Sequence, residues 1–286
     1  MANDLIFSVI IPCYNEEKFI VSCIQLIIQQ TVVPYKLIIV NDGSTDNTVA
    51  VVKEFQKQVD FIEIVDTHKQ PSFEPGAKIV QAFNVGLQHL DHWDVVFKLD
   101  ADVNLPSNYF EKVIATYQEN PKIGMVGGLI YVEKDGEWIY ETISDKNHLR
   151  GPIKSYRRSC FEAMNGIRES IGWDTVDEIL AQFYGYELKV IQDLKVKVNK
   201  PTGALYKKSH AKKMGLAMYK MNYGIIIALI AALKSSLNKK SIKDFFVIIN
   251  SFNKAYFSKV PKIVNREEGK FIRNYRWKNI KAKLRN

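Results

Sequence analysis

Asp100 and Asp102 close the run Val95-Val96-Phe97-Lys98-Leu99, an apolar, β-prone stretch that ends in two carboxylates one small residue apart. In extended backbone alternate side chains share a face, so both carboxylates can point the same way. Two such anions repel unless a cation sits between them. A hard divalent ion with oxygen ligands, its shell completed by phosphate oxygens, is the usual partner. Ligands of open α/β sheets collect beyond the carboxyl ends of strands, where this pair would lie. Read alone, the pair fits a solvated turn equally well, because Asp is common in turns. Asp174 and Asp177 form a second acidic pair, one turn apart on the face of an expected helix. Their other reading is an N-cap and a charge that favours the helix dipole.

The elements that must hold these groups follow from hydrophobic patterning. Leu5 to Ile11 is a continuous apolar run stopped by Pro12 and reads as a buried parallel strand. Asn15-Glu16-Glu17 then puts acid in the first turn of a helix expected to reach Gln30. Leu37 to Val40 is a second strand, followed by the turn formers and helix caps Asn41-Asp42-Gly43-Ser44-Thr45-Asp46-Asn47-Thr48 and a helix to Gln58. Phe61 to Val65 is a third strand, Gly76 to Leu90 a helix, and Val95 to Asp100 a fourth strand. This alternation predicts right-handed crossovers and a mostly parallel sheet with helices on both faces, an α/β fold. Beyond Asp102 a helix is expected from Ser107 to Asn120, then a hairpin of Ile123 to Tyr131 and Trp138 to Ile143 around Lys134-Asp135-Gly136. A short strand over Ser155 to Arg158, a small helix capped by Ser159, a helix from Asp174 to Tyr184 stopped by Gly185, and a strand from Leu188 to Ile191 complete the body.

Of the 286 residues, 47% are hydrophobic and 25% charged, ordinary for a globular chain. Cys13, Cys23 and Cys160 are too few and too scattered for a disulfide framework or a zinc site, so a reducing, cytoplasmic setting is expected. The acidic start Met1-Ala2-Asn3-Asp4, leading straight into an apolar run, sets the expectation of no signal peptide. The net charge of +9 conceals a division: residues 200–286 carry 21 basic and 3 acidic side chains, whereas residues 1–199 carry 19 and 28.

Four segments together resemble family-two inverting glycosyltransferases: Val9-Ile10-Ile11-Pro12-Cys13-Tyr14-Asn15-Glu16-Glu17, Asn41-Asp42-Gly43-Ser44-Thr45-Asp46, Asp100-Ala101-Asp102 and Trp173-Asp174-Thr175-Val176-Asp177-Glu178. They occur in the family's order across about residues 5–200, which is more specific than any single short motif. The resemblance implies a GT-A fold over residues 1–205, a nucleotide-sugar donor (a UDP-sugar), Mn²⁺ or Mg²⁺, and hexosyl transfer with inversion. By the same resemblance Pro12, Tyr14 and Glu16 surround the uracil and ribose, and Asp42 takes the base. Lys78 meets the diphosphate, Asp102 is the direct metal ligand, and Asp100 faces the ribose or the metal through water. Asp174 falls where the family keeps its catalytic base, although Trp173 stands where the family commonly has Glu, and Asp177 is the second candidate. Trp173 is either an acceptor-stacking ring or core packing. Arg157 and Arg158 are read as a solvent-facing pair, with a donor phosphate as the alternative. Some related enzymes bring a His from the region of His210 to the metal.

Residues 206–286 read as a helical basic extension. Met214 to Leu237 and Phe245 to Phe257 are apolar stretches among lysines, and the uninterrupted apolar part between Lys220 and Lys234 is too short to cross a bilayer. Apolar faces beside Lys and Arg describe attachment to an anionic membrane surface through residues 212–285, peripheral on the inner face. A helical subdomain packed on the body explains the apolar positions but not the scarcity of acid. The acceptor expected with this setting is a glycan or a lipid-linked glycan. A nucleotidyltransferase would need a Gly-rich phosphate loop with a basic residue after the first strand, and Pro12-Cys13-Tyr14-Asn15 is not one. A nucleic-acid binder would use the basic extension and leave Asp100 and Asp102 without a role.

Overall fold

The computed structural model describes residues 5–67, 76–142, 145–200 and 210–285. Four parallel strands come first: β1 (Phe7–Cys13), β2 (Lys36–Asn41), β3 (Ile62–Asp66) and β4 (Val95–Leu99). They lie in the order β3-β2-β1-β4, joined by α1 (Ile20–Ile28), α2 (Thr48–Gln58) and α3 (Ala77–Gln88). Their register pairs Cys13 with Asn41 and Asn41 with Asp66, so all four carboxyl ends open on one edge of the sheet. The order reverses between β1 and β4, the position where such sheets leave a crevice for ligands.

Beyond β4 lie β5 (Val103–Asn104), α4 (Tyr109–Glu119), the hairpin β6 (Ile123–Lys134) and β7 (Glu137–Tyr140), β8 (Ile153–Arg157), α5 (Arg158–Ala163), α6 (Trp173–Phe183) and β9 (Glu187–Val198). The sheet continues β4-β8-β6-β9-β5, with β8 antiparallel to both β4 and β6 and β9 parallel to β6. The sheet is therefore mixed but parallel over β3-β2-β1-β4, as expected. The buried rings of Phe7, Phe97 and Phe110, with centroids 4.9–5.6 Å apart, fasten β1, β4 and α4 together. Each such buried ring contributes about 1.5–3 kcal/mol.

Several boundaries differ from the sequence reading. Helix α1 starts at Ile20, not at Glu17, because Asn15 turns the chain at φ 54° and Glu16 and Glu17 bond to the loop after β2. Ser159 lies inside α5 and does not cap it: β8 runs straight into the helix, and no side chain caps its start. Strand β9 has 12 residues, where only Leu188 to Ile191 was expected, and the two-residue β5 was not foreseen. The alternation of buried Leu194, Val196 and Val198 with exposed Lys195 and Lys197 was the available signal. Ile143 lies outside the described residues.

The chain forms two compact units. One contains the described residues within Met1–Ser72, Ile79–Ile167 and Tyr184–Thr202, and the other those within Phe73–Lys78, Arg168–Phe183 and Gly203–Asn286. The second unit packs α6 with α7 (His210–Lys220), α8 (Ile225–Asn238), α9 (Ile242–Phe257) and α10 (Arg266–Arg285). Met214 to Leu237 is thus two helices: Asn222 (φ 59°) and Gly224 (φ 76°) turn the chain between α7 and α8. Within this unit Glu268 is buried, forms an ion pair with Arg168 at 2.9 Å, and caps α10 by accepting the Asn265 amide proton. Among the described residues no helix is long and apolar enough to cross a membrane.

Candidate active site

The loops after β1 and β2 hold each other. The Asn15 amide donates to Ser44 Oγ at 3.0 Å, and Asn15 Oδ1 accepts from the Thr45 amide at 2.8 Å. The Glu16 amide donates to Thr48 Oγ1 at 2.8 Å, and Glu17 accepts from the Asn47 amide at 2.9 Å. Asp46 takes the Glu17 and Thr48 amides. Ser44, Asp46 and Thr48 are therefore structural clasps. They leave Tyr14 exposed and Pro12, Glu16 and Asp42 part-exposed along the crevice edge. Asp42 accepts the Thr67 hydroxyl proton at 2.9 Å and donates its amide to the Cys13 carbonyl at 2.8 Å.

Asp100 and Asp102 follow β4 on the same edge. Asp100 is part-exposed and paired with the buried Lys98 ammonium, which also donates to the Gly151 carbonyl at 3.1 Å. Asp102 is only 7% exposed. Its Oδ2 accepts the Lys200 amide proton at 3.0 Å, and its carbonyl accepts from the Asn199 amide at 3.1 Å and from Asn199 Nδ2 at 3.0 Å. The β5–β9 pairing makes this contact, since Val103 faces Val198. The Lys200 ammonium donates to Glu16 Oε1 at 2.6 Å, so one residue ties the first motif to the acidic pair.

Burial and neighbouring carboxylates together raise the titratable groups around Asp102. Burial first, then Asp100, push Asp102 up to about 6, against its ordinary 3.8. Cys13 is pushed up to about 12 by burial, Glu16 and Asp46, and the Cys23 thiol is raised by burial and then by Asp102. These are the signs of a negative potential that the side chains present do not neutralise. Among the described residues no group of three or more His, Cys, Asp or Glu could hold a metal ion. A divalent ion at Asp102 would therefore draw the rest of its shell from ligand oxygens, which suits a hard cation.

This geometry meets an independent result. The family model described as Glycosyl transferase family 2 matches residues 8–215, most of the chain. The chain belongs to glycosyl transferase family 2. Over 131 residues it is 34% identical to a dolichyl N-acetyl-alpha-D-glucosaminyl phosphate 3-beta-D-2,3-diacetamido-2,3-dideoxy-beta-D-glucuronosyltransferase of Methanococcus voltae, covering 43% of this chain and 38% of that one. Over 121 residues it is 31% identical to a poly-beta-1,6-N-acetyl-D-glucosamine synthase of Staphylococcus epidermidis, covering 42% and 27%. The matches thus span well under half the length of these relatives. Among solved structures, S. aureus TarS 1-349 in complex with UDP-GlcNAc shares the fold at TM-score 0.58 and 20% identity, over 74% of this chain and 65% of that one. The mannosyltransferase PcManGT of Pyrobaculum calidifontis, in complex with GDP-Man and Mn²⁺, does so at 0.56 and 16%, over 86% and 68%.

The remaining candidates of this family 2 chain are distributed differently. Arg157 and Arg158 lie at the wrong end of β4 for the donor: Arg157 pairs with Val95, whereas Ile153 pairs with Leu99. Arg157 is not solvent-facing, because its guanidinium donates to the carbonyls of Tyr117, Asn120 and Ile123. Arg158 is exposed and bonds Glu162 at 2.7 Å. In the second unit, Lys78 is exposed in the first turn of α3, and Trp173 is buried at the start of α6. Asp174 is part-exposed in the first turn of α6, and Asp177 is 1% exposed. His210 Nδ1 lies 3.0 Å from Lys239 Nζ, and partial burial and that ammonium lower its pKa. Sequence reasoning missed Lys98 and Lys200. Lys98 stands two residues before Asp100 on the same strand face, a readable signal, whereas nothing in the order of residues links Lys200 to Glu16.

Proposed function

We propose that this chain transfers a hexosyl group, with inversion, from a UDP-sugar to a hydroxyl of a glycan or lipid-linked acceptor. The observation that carries the reading is Asp102, a buried, under-neutralised carboxylate beside Asp100 at the reversal point of the parallel strands. Family membership supports it, as do UDP-GlcNAc and GDP-Man with Mn²⁺ in the structural relatives. In this reading Pro12, Tyr14 and Glu16 flank the nucleoside, Asp42 takes the base and Lys78 meets the diphosphate. Asp102 would hold Mn²⁺ or Mg²⁺, with Asp100 facing it or the ribose through water. When bound, such an ion supplies Lewis-acid stabilisation of the departing nucleoside diphosphate.

Asp174 takes the proton from the acceptor hydroxyl. The hydroxyl oxygen forms its bond to the anomeric carbon as the bond to the diphosphate breaks, and the electron pair leaves with the diphosphate. Burial leaves Asp177 little surface to offer an acceptor, so Asp174 carries the role. Residues 212–285 meet an anionic membrane at its cytoplasmic face, and nucleic acid is not a partner.

Release of nucleoside diphosphate from a panel of nucleotide-sugars, with and without Mn²⁺, tests the reading. Asp102→Ala and Asp174→Asn are each expected to lower turnover by about 10²-fold or more. Undiminished turnover in both variants would remove the mechanism.

A further inference from the structure

We propose that α8 beds in the interface of an anionic membrane, its axis in the bilayer plane and its outer face, Ile225, Ile226, Leu229, Ile230, Leu233 and Leu237, among the acyl chains. This deepens the membrane part of the reading above and rests on it. All six side chains are exposed, Ile226 to 60% and Leu237 to 68%. At 3.6 residues per turn they fall within an arc of about 140°. The opposite side of the helix, with Ile227, Ala228 and Ala232, is buried, as is Ser236 where the outer arc begins beside Ile225. The helix is therefore apolar on both sides, and the unit's own core consumes only one of them. A helix bordering water normally turns charged groups outward, and a continuous apolar patch marks a contact surface.

Length and charge decide what makes the contact. The 14 residues of α8 span about 21 Å, short of the roughly 30 Å of a hydrocarbon core, so the helix can lie in a bilayer surface but not cross it. The flanking positions are basic: Lys234, Lys239, Lys240 and Lys243 are all exposed. Asp244, in the first turn of α9, stands 4.0 Å from Lys239. Lys283 of α10 neighbours Lys234, and the close approach of the two amino groups, then the Lys283 charge, lower the Lys234 pKa. Two basic side chains brought close in this way suit a phosphate oxygen between them. Residues 210–285 hold 18 basic and 3 acidic side chains, so the same face of a second copy would meet this one with like charge. A phospholipid surface offers both apolar depth and negative charge.

The test is co-sedimentation of the full chain with phosphatidylcholine vesicles, with and without phosphatidylglycerol. The wild type is expected to bind the anionic vesicles and to lose on the order of tenfold in affinity without phosphatidylglycerol or in high salt. Leu229→Gln with Leu233→Gln, at exposed positions and checked for an unchanged melting curve, is expected to weaken binding about tenfold or more. Lys234→Gln with Lys283→Gln is expected to reduce the preference for phosphatidylglycerol. Equal binding by the wild type and the leucine variant would overturn the assignment of the face while leaving membrane attachment standing. No binding of the wild type to either vesicle would overturn the attachment itself. A solution dimer that the leucine variant dissociates would identify the face as a self-contact.

Discussion

Burial and a neighbouring carboxylate hold Asp102 at about 6, and this has a sign that can be measured. A carboxyl group whose pKa is raised on folding binds its proton more tightly in the native chain than in the unfolded one. The Asp102 contribution to metal-free stability is therefore fully present below pH 3.8, is lost as pH rises from 3.8 to about 6, and is level above that. One pKa unit corresponds to about 1.4 kcal/mol, so the loss is on the order of 3 kcal/mol. Asp102→Asn should flatten this slope and raise metal-free stability at pH 7 by a similar amount while abolishing turnover, as read by urea denaturation in the presence of a chelator. Lys200 belongs to the same balance. Lys200→Met leaves Glu16 without its ammonium partner beside Asp102, and the expected result is a weaker donor KM and a further rise of the Asp102 pKa, followed by the pH profile of donor binding.

The elements show how far local pattern carries and where it stops. Strands β1 and β2 follow from continuous apolar runs, because a parallel strand covered on both faces has no polar side to interrupt it. The start of α1 does not follow, since Glu16 and Glu17 are good first-turn residues that tertiary bonds divert to the loop after β2. Asn15 makes that diversion possible. It holds a left-handed conformation that asparagine tolerates, and its side chain accepts the Thr45 amide. Asn15→Ala should lose both properties and cost about 1–3 kcal/mol, whereas Asn15→Gly keeps the backbone and should cost less, a difference that thermal melts of the two variants would resolve. In the second unit, α7 and α9 touch at Gly215, where an added Cβ would come within 2.2 Å of the Ile248 carbonyl. Gly215→Ala should force the helices apart and destabilise by about 1–3 kcal/mol, seen as a lower melting temperature.

For the whole molecule the measurable consequence is linkage. A UDP-sugar with Mn²⁺ that binds only the native chain at a hundred times its Kd stabilises by about 2.7 kcal/mol. A thermal-shift screen should therefore raise the melting temperature for the right donor, and Asp102→Asn should remove the Mn²⁺-dependent part. A uniform absence of shifts across nucleotide-sugars would argue against a donor site in the crevice. The charge division between an acidic body and a basic extension is likewise a property of the whole chain, and it is plain from residue counts.

By itself the order of residues determined the parallel strands, the acidic pair at the end of β4 and the loops of turn formers, because hydrophobic period and turn chemistry act over a few neighbouring positions. Only the tertiary structure decided that Lys200, 184 residues from Glu16, would be its ion-pair partner, that Arg157 would stand at the far end of the sheet, and that one side of α8 would be left uncovered. Those outcomes depend on strand order and register. Strand order and register are set by the packing of distant segments, and no local pattern in the chain records them.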